Sequence, residues 1–154
     1  MKALVVYYSR TGTTKTVGNA IAKALKCPVE ELSDPKMRQG PVGYLRCCKD
    51  ILLRRTVELK KIKHDPSKYD IVIIGTPVWL HQPSSLVRTY MQNYSKKFKK
   101  VAFFCTYMAT GEKAIFNNMS AICGKKPVAT LGLRSGEVYT GAFEHKVKAF
   151  AESL

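Results

Sequence analysis

Three stretches of the chain read as buried strands, because apolar residues fill them without the alternation of a half-wetted sheet: ALVVYY (Ala3 to Tyr8), YDIVIIG (Tyr69 to Gly75) and VAFFC (Val101 to Cys105). CPVEEL (Cys27 to Leu32) and PVATLGL (Pro127 to Leu133) are weaker members of the same set. Between them the period changes to that of a helix. Val17, Ile21, Ala24 and Leu25 mark one stripe, Tyr44, Leu45, Cys48, Ile51 and Leu52 a second, and Leu86, Val87, Tyr90, Met91 and Tyr94 a third. Ile115, Met119 and Ile122 suggest a fourth, and Phe143, Val147, Phe150 and Leu154 a closing helix.

Five strands alternating with five helices, the strands uniformly apolar, predict an α/β fold with a parallel sheet covered on both faces. The doubly wound arrangement is the favoured topology, and a chain of 154 residues fits one domain spanning residues 1–154. In such a sheet a ligand sits outside the carboxyl ends of the strands, where strand order reverses. Three loops therefore matter: Ser9 to Thr14, Thr76 to Pro83, and Cys105 to Gly111.

The first of these, within YYSRTGTTKT, sets five hydroxyl side chains, Ser9, Thr11, Thr13, Thr14 and Thr16, around Gly12. It leads from a buried strand into a helix N-terminus, where free amides and the helix dipole favour an anion. One cap, Thr13 or Thr14, would satisfy the helix alone, and five hydroxyls exceed that need. The loop is neither a Walker A motif nor a G-x-G-x-x-G fingerprint. In the second loop Trp79, the only Trp, lies between Pro77 and Pro83, where its face or edge could meet a planar ring. Tyr107 has a weaker claim to the same role, and His81 reads as an exposed loop histidine.

YYSRTGTTKTVGNAIA resembles the phosphate loop of flavodoxins, whose pattern Ser/Thr-x-Thr-Gly-x-Thr falls on Ser9, Thr11, Gly12 and Thr14. YDIVIIGTPVWLHQPSS and VAFFCTYMATGEKA resemble the strands and flanking loops on either side of the flavin in the short-chain members, so the likeness runs along nearly the whole chain. The resemblance implies the known flavodoxin strand order 2-1-3-4-5 and noncovalent flavin mononucleotide (FMN). It implies that Ser9, Thr11, Gly12, Thr13 and Thr14, with the backbone of Arg10, hold the phosphate. Thr76, Pro77, Val78 and Trp79 would line one side of the isoalloxazine, and Thr106, Tyr107 and Gly111 the other.

Charge departs from that family's habit. Electron-carrier flavodoxins are typically acidic, whereas this chain has 26 Lys and Arg against 11 Asp and Glu, a net charge of +15. Arg10, Lys15 and Lys113 lie in or beside the three loops, and Glu112 is their one acid. Acidic redox partners are therefore expected, together with a less negative potential for the last electron than in acidic carriers. The long, basic crossover GPVGYLRCCKDILLRRTVELKK also departs from a minimal flavodoxin: it could border the flavin site or form a docking face, and its apolar stripe suggests a covering helix.

No nucleic-acid reader motif or basic-aromatic platform accompanies the charge. The odd count of five cysteines, without C-x-x-C, suggests neither a disulfide framework nor a metal site. They read as small buried apolar residues, and the adjacent Cys47 and Cys48 could bridge only with strain. The N-terminus is too short and too poorly ended for a signal peptide, and no apolar run has membrane-spanning length, so a cytoplasmic protein is expected. The leading function is an FMN electron-transfer protein. An FMN oxidoreductase of the NAD(P)H:quinone or protoporphyrinogen type is second, with no catalytic residue assigned. A non-redox module for acidic partners is third.

Overall fold

A computed structural model describes residues 1–35 and 40–154. Lys36 to Gln39, inside the polar loop expected after the second strand, lie outside the described residues. Five strands, β1 (Ala3–Tyr7), β2 (Val29–Glu31), β3 (Ile71–Pro77), β4 (Lys100–Tyr107) and β5 (Thr130–Arg134), form one parallel sheet in the order β2-β1-β3-β4-β5. The doubly wound order inferred from the resemblance is therefore correct.

The apolar runs of β1, β3 and β4 are continuous because each of these strands feeds two cores. From β1, Leu4 and Val6 join Val72, Ile74 and Phe103 on one face, while Val5 and Tyr7 join Ile73 and Phe104 on the other. Each such side chain, fully buried, contributes about 1.5–3 kcal/mol. Helices α1 (Thr13–Leu25), α5 (Ser135–Thr140) and α6 (Glu144–Glu152) supply buried residues to the second core. Helices α3 (Ser85–Tyr94) and α4 (Glu112–Cys123) supply the first. Among the described residues no helix is long and apolar enough to cross a membrane.

Two expectations need correction. Helix α5 was not foreseen: it has six residues, of which only Val138 is buried, so it leaves no period to read. Helix α2 (Gly40–Leu52) exists, but of the expected stripe it fully buries only Ile51. Gly43, Cys47 and Asp50 sit on the inner face beside Ile51, and Tyr44, Leu45 and Leu52 are left outside.

After α2 the chain has no helix or strand until the short turn Pro66–Lys68. The Val57 amide donates to Thr89 Oγ1 at 3.1 Å, and the Lys60 amide to the Ser33 carbonyl at 2.8 Å. Glu30, buried in the edge strand, accepts from the amides of Lys63 and His64 at 2.7 and 2.8 Å. One buried carboxylate thus ties the crossover to the sheet.

Candidate functional site

Strand order reverses between β1 and β3, and the parallel register brings the carboxyl ends together: Tyr7 beside Gly75, Pro77 beside Thr106, and Tyr107 beside Arg134. The loops leaving these strands enclose a cleft of about 310 Å³.

At one end, Gly12 takes a left-handed conformation (φ 97°) as the N-cap residue of α1, and no side chain caps the helix. Thr13 and Thr14, the candidate caps, are the first two helical residues instead. The Ser9 hydroxyl accepts from the Gly12 amide at 3.1 Å and so tightens the turn. Thr13 Oγ1 pairs with the Tyr139 hydroxyl at 3.2 Å, and Thr14 Oγ1 with Thr106 Oγ1 at 2.8 Å. Thr16 turns back, its hydroxyl donating to the Gly12 carbonyl. Arg10 Nη2 donates to the Gly40 carbonyl at 3.3 Å, with its guanidinium 5.2 Å from the Tyr44 ring centre. Arg10 Nε is buried with no hydrogen-bond partner among the described residues.

At the other end, Trp79 and Gln82 exchange backbone hydrogen bonds (3.2 and 2.9 Å) around Leu80 and His81. Both of these have positive φ, 51° and 57°, in a tight turn whose two central positions usually carry Asn-Gly. The turn is held from outside. Arg88 Nη2 donates to Gln82 Oε1 at 2.9 Å, and Asn118 Nδ2 to the His81 carbonyl at 3.1 Å. Trp79 meets Tyr8 edge-on, ring centres 6.0 Å apart, and also borders the cleft.

Of the residues expected at the site, Arg10, Thr11, Thr13, Thr14, Pro77, Val78, Trp79, Thr106 and Tyr107 line the cleft. Ser9 and Gly12 shape the turn beside it. Thr76 is fully buried, donating to the Pro77 carbonyl and accepting from the Ser84 amide, so it supports the loop without facing the cleft. Gly111 (φ 120°) borders an adjoining, more open hollow with Tyr107, Glu112 and Arg134. A Cβ at Gly111 would come within 2.8 Å of His81 Nδ1, so the two flanking loops touch there.

Tyr44, Met108, Ser135 and Tyr139 also line the cleft and were missed. The rule about strand ends pointed equally to the loop after the last strand, and RSGEVYTG carries both Ser135 and Tyr139. Tyr44 belongs to the basic crossover that could border the site, but no residue of that segment was singled out for it. The partner of Tyr44, Arg10, is brought to it by topology alone.

No carboxylate lines the described walls, which carry Arg10 as their one formal charge. Glu112, in the hollow, accepts from the Tyr107 hydroxyl at 3.0 Å. Burial raises the Tyr107 pKa, and the Glu112 hydrogen bond adds to the rise, so the phenol stays protonated through the neutral range. Burial pushes the Cys105 thiol beneath the site up to about 12, keeping it unreactive.

A five-stranded doubly wound sheet with a cleft at its switch point defines the flavodoxin-like class. A sequence model for flavodoxin matches residues 48–153, and the chain belongs to that family. The match begins after Ser9–Thr14, so that loop rests on its own geometry. A search among curated proteins finds no match.

Among solved structures, the chain is similar to a flavoprotein of Lactobacillus acidophilus in complex with FMN. There the identity is 23%, the TM-score 0.74, and the coverage 92% of this chain and 98% of that one. A Bacteroides uniformis protein assigned to the flavoproteins has 20% identity and a TM-score of 0.81, with 98% and 97% covered. The two-electron reduced flavodoxin of Megasphaera elsdenii has 19% identity and a TM-score of 0.61, with 98% of each chain covered.

Proposed function

We infer that residues 1–154 act as one domain that binds FMN in this cleft and serves as an electron-transfer protein. The observation that carries this is the start of α1, where the first-turn residues Thr13 and Thr14 line a cleft and, among the described residues, no side chain caps the helix and the buried Arg10 Nε has no partner. Both features suit an anion, and the aromatic far end suits a flat ring. The Lactobacillus acidophilus relative in complex with FMN supports the same reading.

In this reading the amides after Gly12 and the hydroxyls of Thr11, Thr13 and Thr14 hold the phosphate, with Arg10 adding charge. Pro77, Val78 and Trp79 shield one side of the isoalloxazine and exclude water there. Thr106 and Tyr107 border the other. FMN supplies one- and two-electron redox chemistry when bound, and the protein positions and tunes it. With Arg10 and no carboxylate in the walls, a reduced anion is favoured, so the last-electron potential is expected to be less negative than in acidic carriers. The five free cysteines fit a reducing, cytoplasmic setting.

One observation favours a second reading, an FMN oxidoreductase: the hollow beside the cleft holds the Tyr107–Glu112 pair, which could donate a proton to a substrate, together with Lys113 and Arg134 to attract an anionic one. Purified protein should bind added FMN and be reduced stepwise through a partner reductase. Rapid NAD(P)H oxidation with a quinone would favour the enzyme instead. Failure to bind FMN would defeat both.

A further inference from the structure

The exposed face of α2 is unusual for a water-facing helix. Val42, Leu45 and Leu52 are 71%, 67% and 71% exposed, and Leu53, just past the helix, is exposed as well. At 100° per residue the three helical positions fall within one sector, and Arg46 and Lys49 fall inside or beside it. Arg54 and Arg55 follow at the end of the helix. Val42, Leu45, Arg46, Lys49, Asp50 and Arg55 border a groove of about 320 Å³, and Asp50, the one acid among these, is buried on the inner side of the helix while the cations are outside. The neighbouring sector of α2 carries Tyr44, which lines the cleft and lies under the Arg10 guanidinium. The patch thus lies beside the cleft mouth, with Cys48 between them around the helix.

An apolar centre among cations, beside a groove, has the composition of a protein interface with a charged rim. We propose that the outer face of α2 is the docking surface for an acidic protein partner, which seats an apolar side chain in the groove of Val42 and Leu45 and sets carboxylates against Lys49, Arg54 and Arg55.

Two features of the molecule select this occupant. A second copy of the chain would bring another net charge of +15 to the contact, and like charges oppose such a pairing. A lipid surface is broad and flat, and has no protruding side chain for the groove to receive. An acidic protein satisfies the charge, the apolar centre and the concavity together. The proposal rests on the FMN reading for its purpose, which is to bring a redox centre beside the cleft, but docking itself can be read without flavin.

The probe is a synthetic acidic amphipathic helix, with Leu at helical spacing among Glu residues, titrated into the full-length protein at low salt and followed by amide NMR shifts. The expected shifts concentrate on Val42, Leu45, Lys49, Leu52 and Arg55. Lys49→Glu with Arg55→Glu should weaken binding about tenfold or more, and added salt should weaken it in the wild type. Leu45→Ser with Leu52→Ser should weaken it about tenfold while leaving its salt dependence in place. None of these positions lines the cleft, so FMN absorbance and affinity should be unchanged in every variant, which separates failure of docking from failure of the FMN reading.

Shifts confined to other surfaces, or variants that bind the probe as the wild type does, overturn the proposal. Two further outcomes also overturn it: stronger α2-dependent binding to phosphatidylglycerol vesicles than to the peptide, or a wild-type dimer in sedimentation that the Leu45→Ser, Leu52→Ser variant dissolves.

Discussion

At one end of the cleft the chain leaves β1, turns through Gly12 and enters a thirteen-residue helix whose position is fixed by the sheet. Hydroxyls there are cross-bonded to distant elements, Thr14 to Thr106 and Thr13 to Tyr139. At the other end Trp79 stands at the base of a turn whose two tip residues are both left-handed and both carry side chains. The first end is preorganised by its neighbours, and the second is clamped against its own preference by Arg88 and Asn118. A preorganised end is suited to affinity, because no ordering remains to be done when an anion arrives. A strained end is suited to adjusting what it holds.

Substitution at Gly12 should break the first end most. A Cβ there meets nothing within 4 Å, so Gly12→Val should fold, yet its φ of 97° is a conformation a β-branched residue avoids. Strain of about 2–3 kcal/mol should appear as roughly a hundredfold loss of FMN affinity in a fluorescence titration, with circular dichroism unchanged. Thr14→Val removes the buried pair with Thr106. Unfolding in urea should show a loss of about 1 kcal/mol, and FMN affinity should fall roughly tenfold.

The second end should respond in the opposite sense. Replacing Leu80→Asn together with His81→Gly gives the turn the residues its geometry favours, and should stabilise the protein by about 1 kcal/mol, a melting rise of roughly 2–4 °C. The phosphate-end variants lower the melting temperature and this one raises it. If all three lower it, the contrast between the ends is wrong.

The smallest effect concerns the wall behind Thr13. Glu137 accepts from Lys146 and from the Arg134 amide, which together hold its carboxyl below the usual carboxylate range. Its contribution is present above the unfolded pKa and is lost as pH falls through the lower folded one. Acid titration should therefore loosen α5 and Tyr139 before the sheet, and Glu137→Gln should abolish that step by removing the same small contribution already at neutral pH. Amide exchange across α5 between pH 5 and pH 2 reads both.

The three central strands were legible because they are buried on both faces, so the sequence shows them as apolar runs without needing a period, while the edge strands β2 and β5, partly exposed, gave the weaker signals. The helices were legible where large apolar residues face inward, as Val17 and Ile21 do in α1. Helix α2 inverts that rule: Gly43 and Cys47 make its contact, and Leu45 and Leu52 are left outside, so the pattern named the helix and misplaced its face. At the site, local loop chemistry marked Thr11 to Thr14 and Trp79. Tyr139 and Tyr44 stayed hidden because what brings them to the cleft is long-range, a hydroxyl contact spanning 126 residues for Tyr139 and the placement of α2 for Tyr44.

The central claim is that the uncapped start of α1 and Arg10 hold a phosphate. Parallel fluorescence titrations of flavin-free protein with FMN and with riboflavin test it most directly, since the two ligands differ only in that group. The account predicts one FMN per chain, bound about a hundredfold or more tightly than riboflavin, with inorganic phosphate competing against FMN. Equal affinity for the two flavins, or binding of neither, would contradict it.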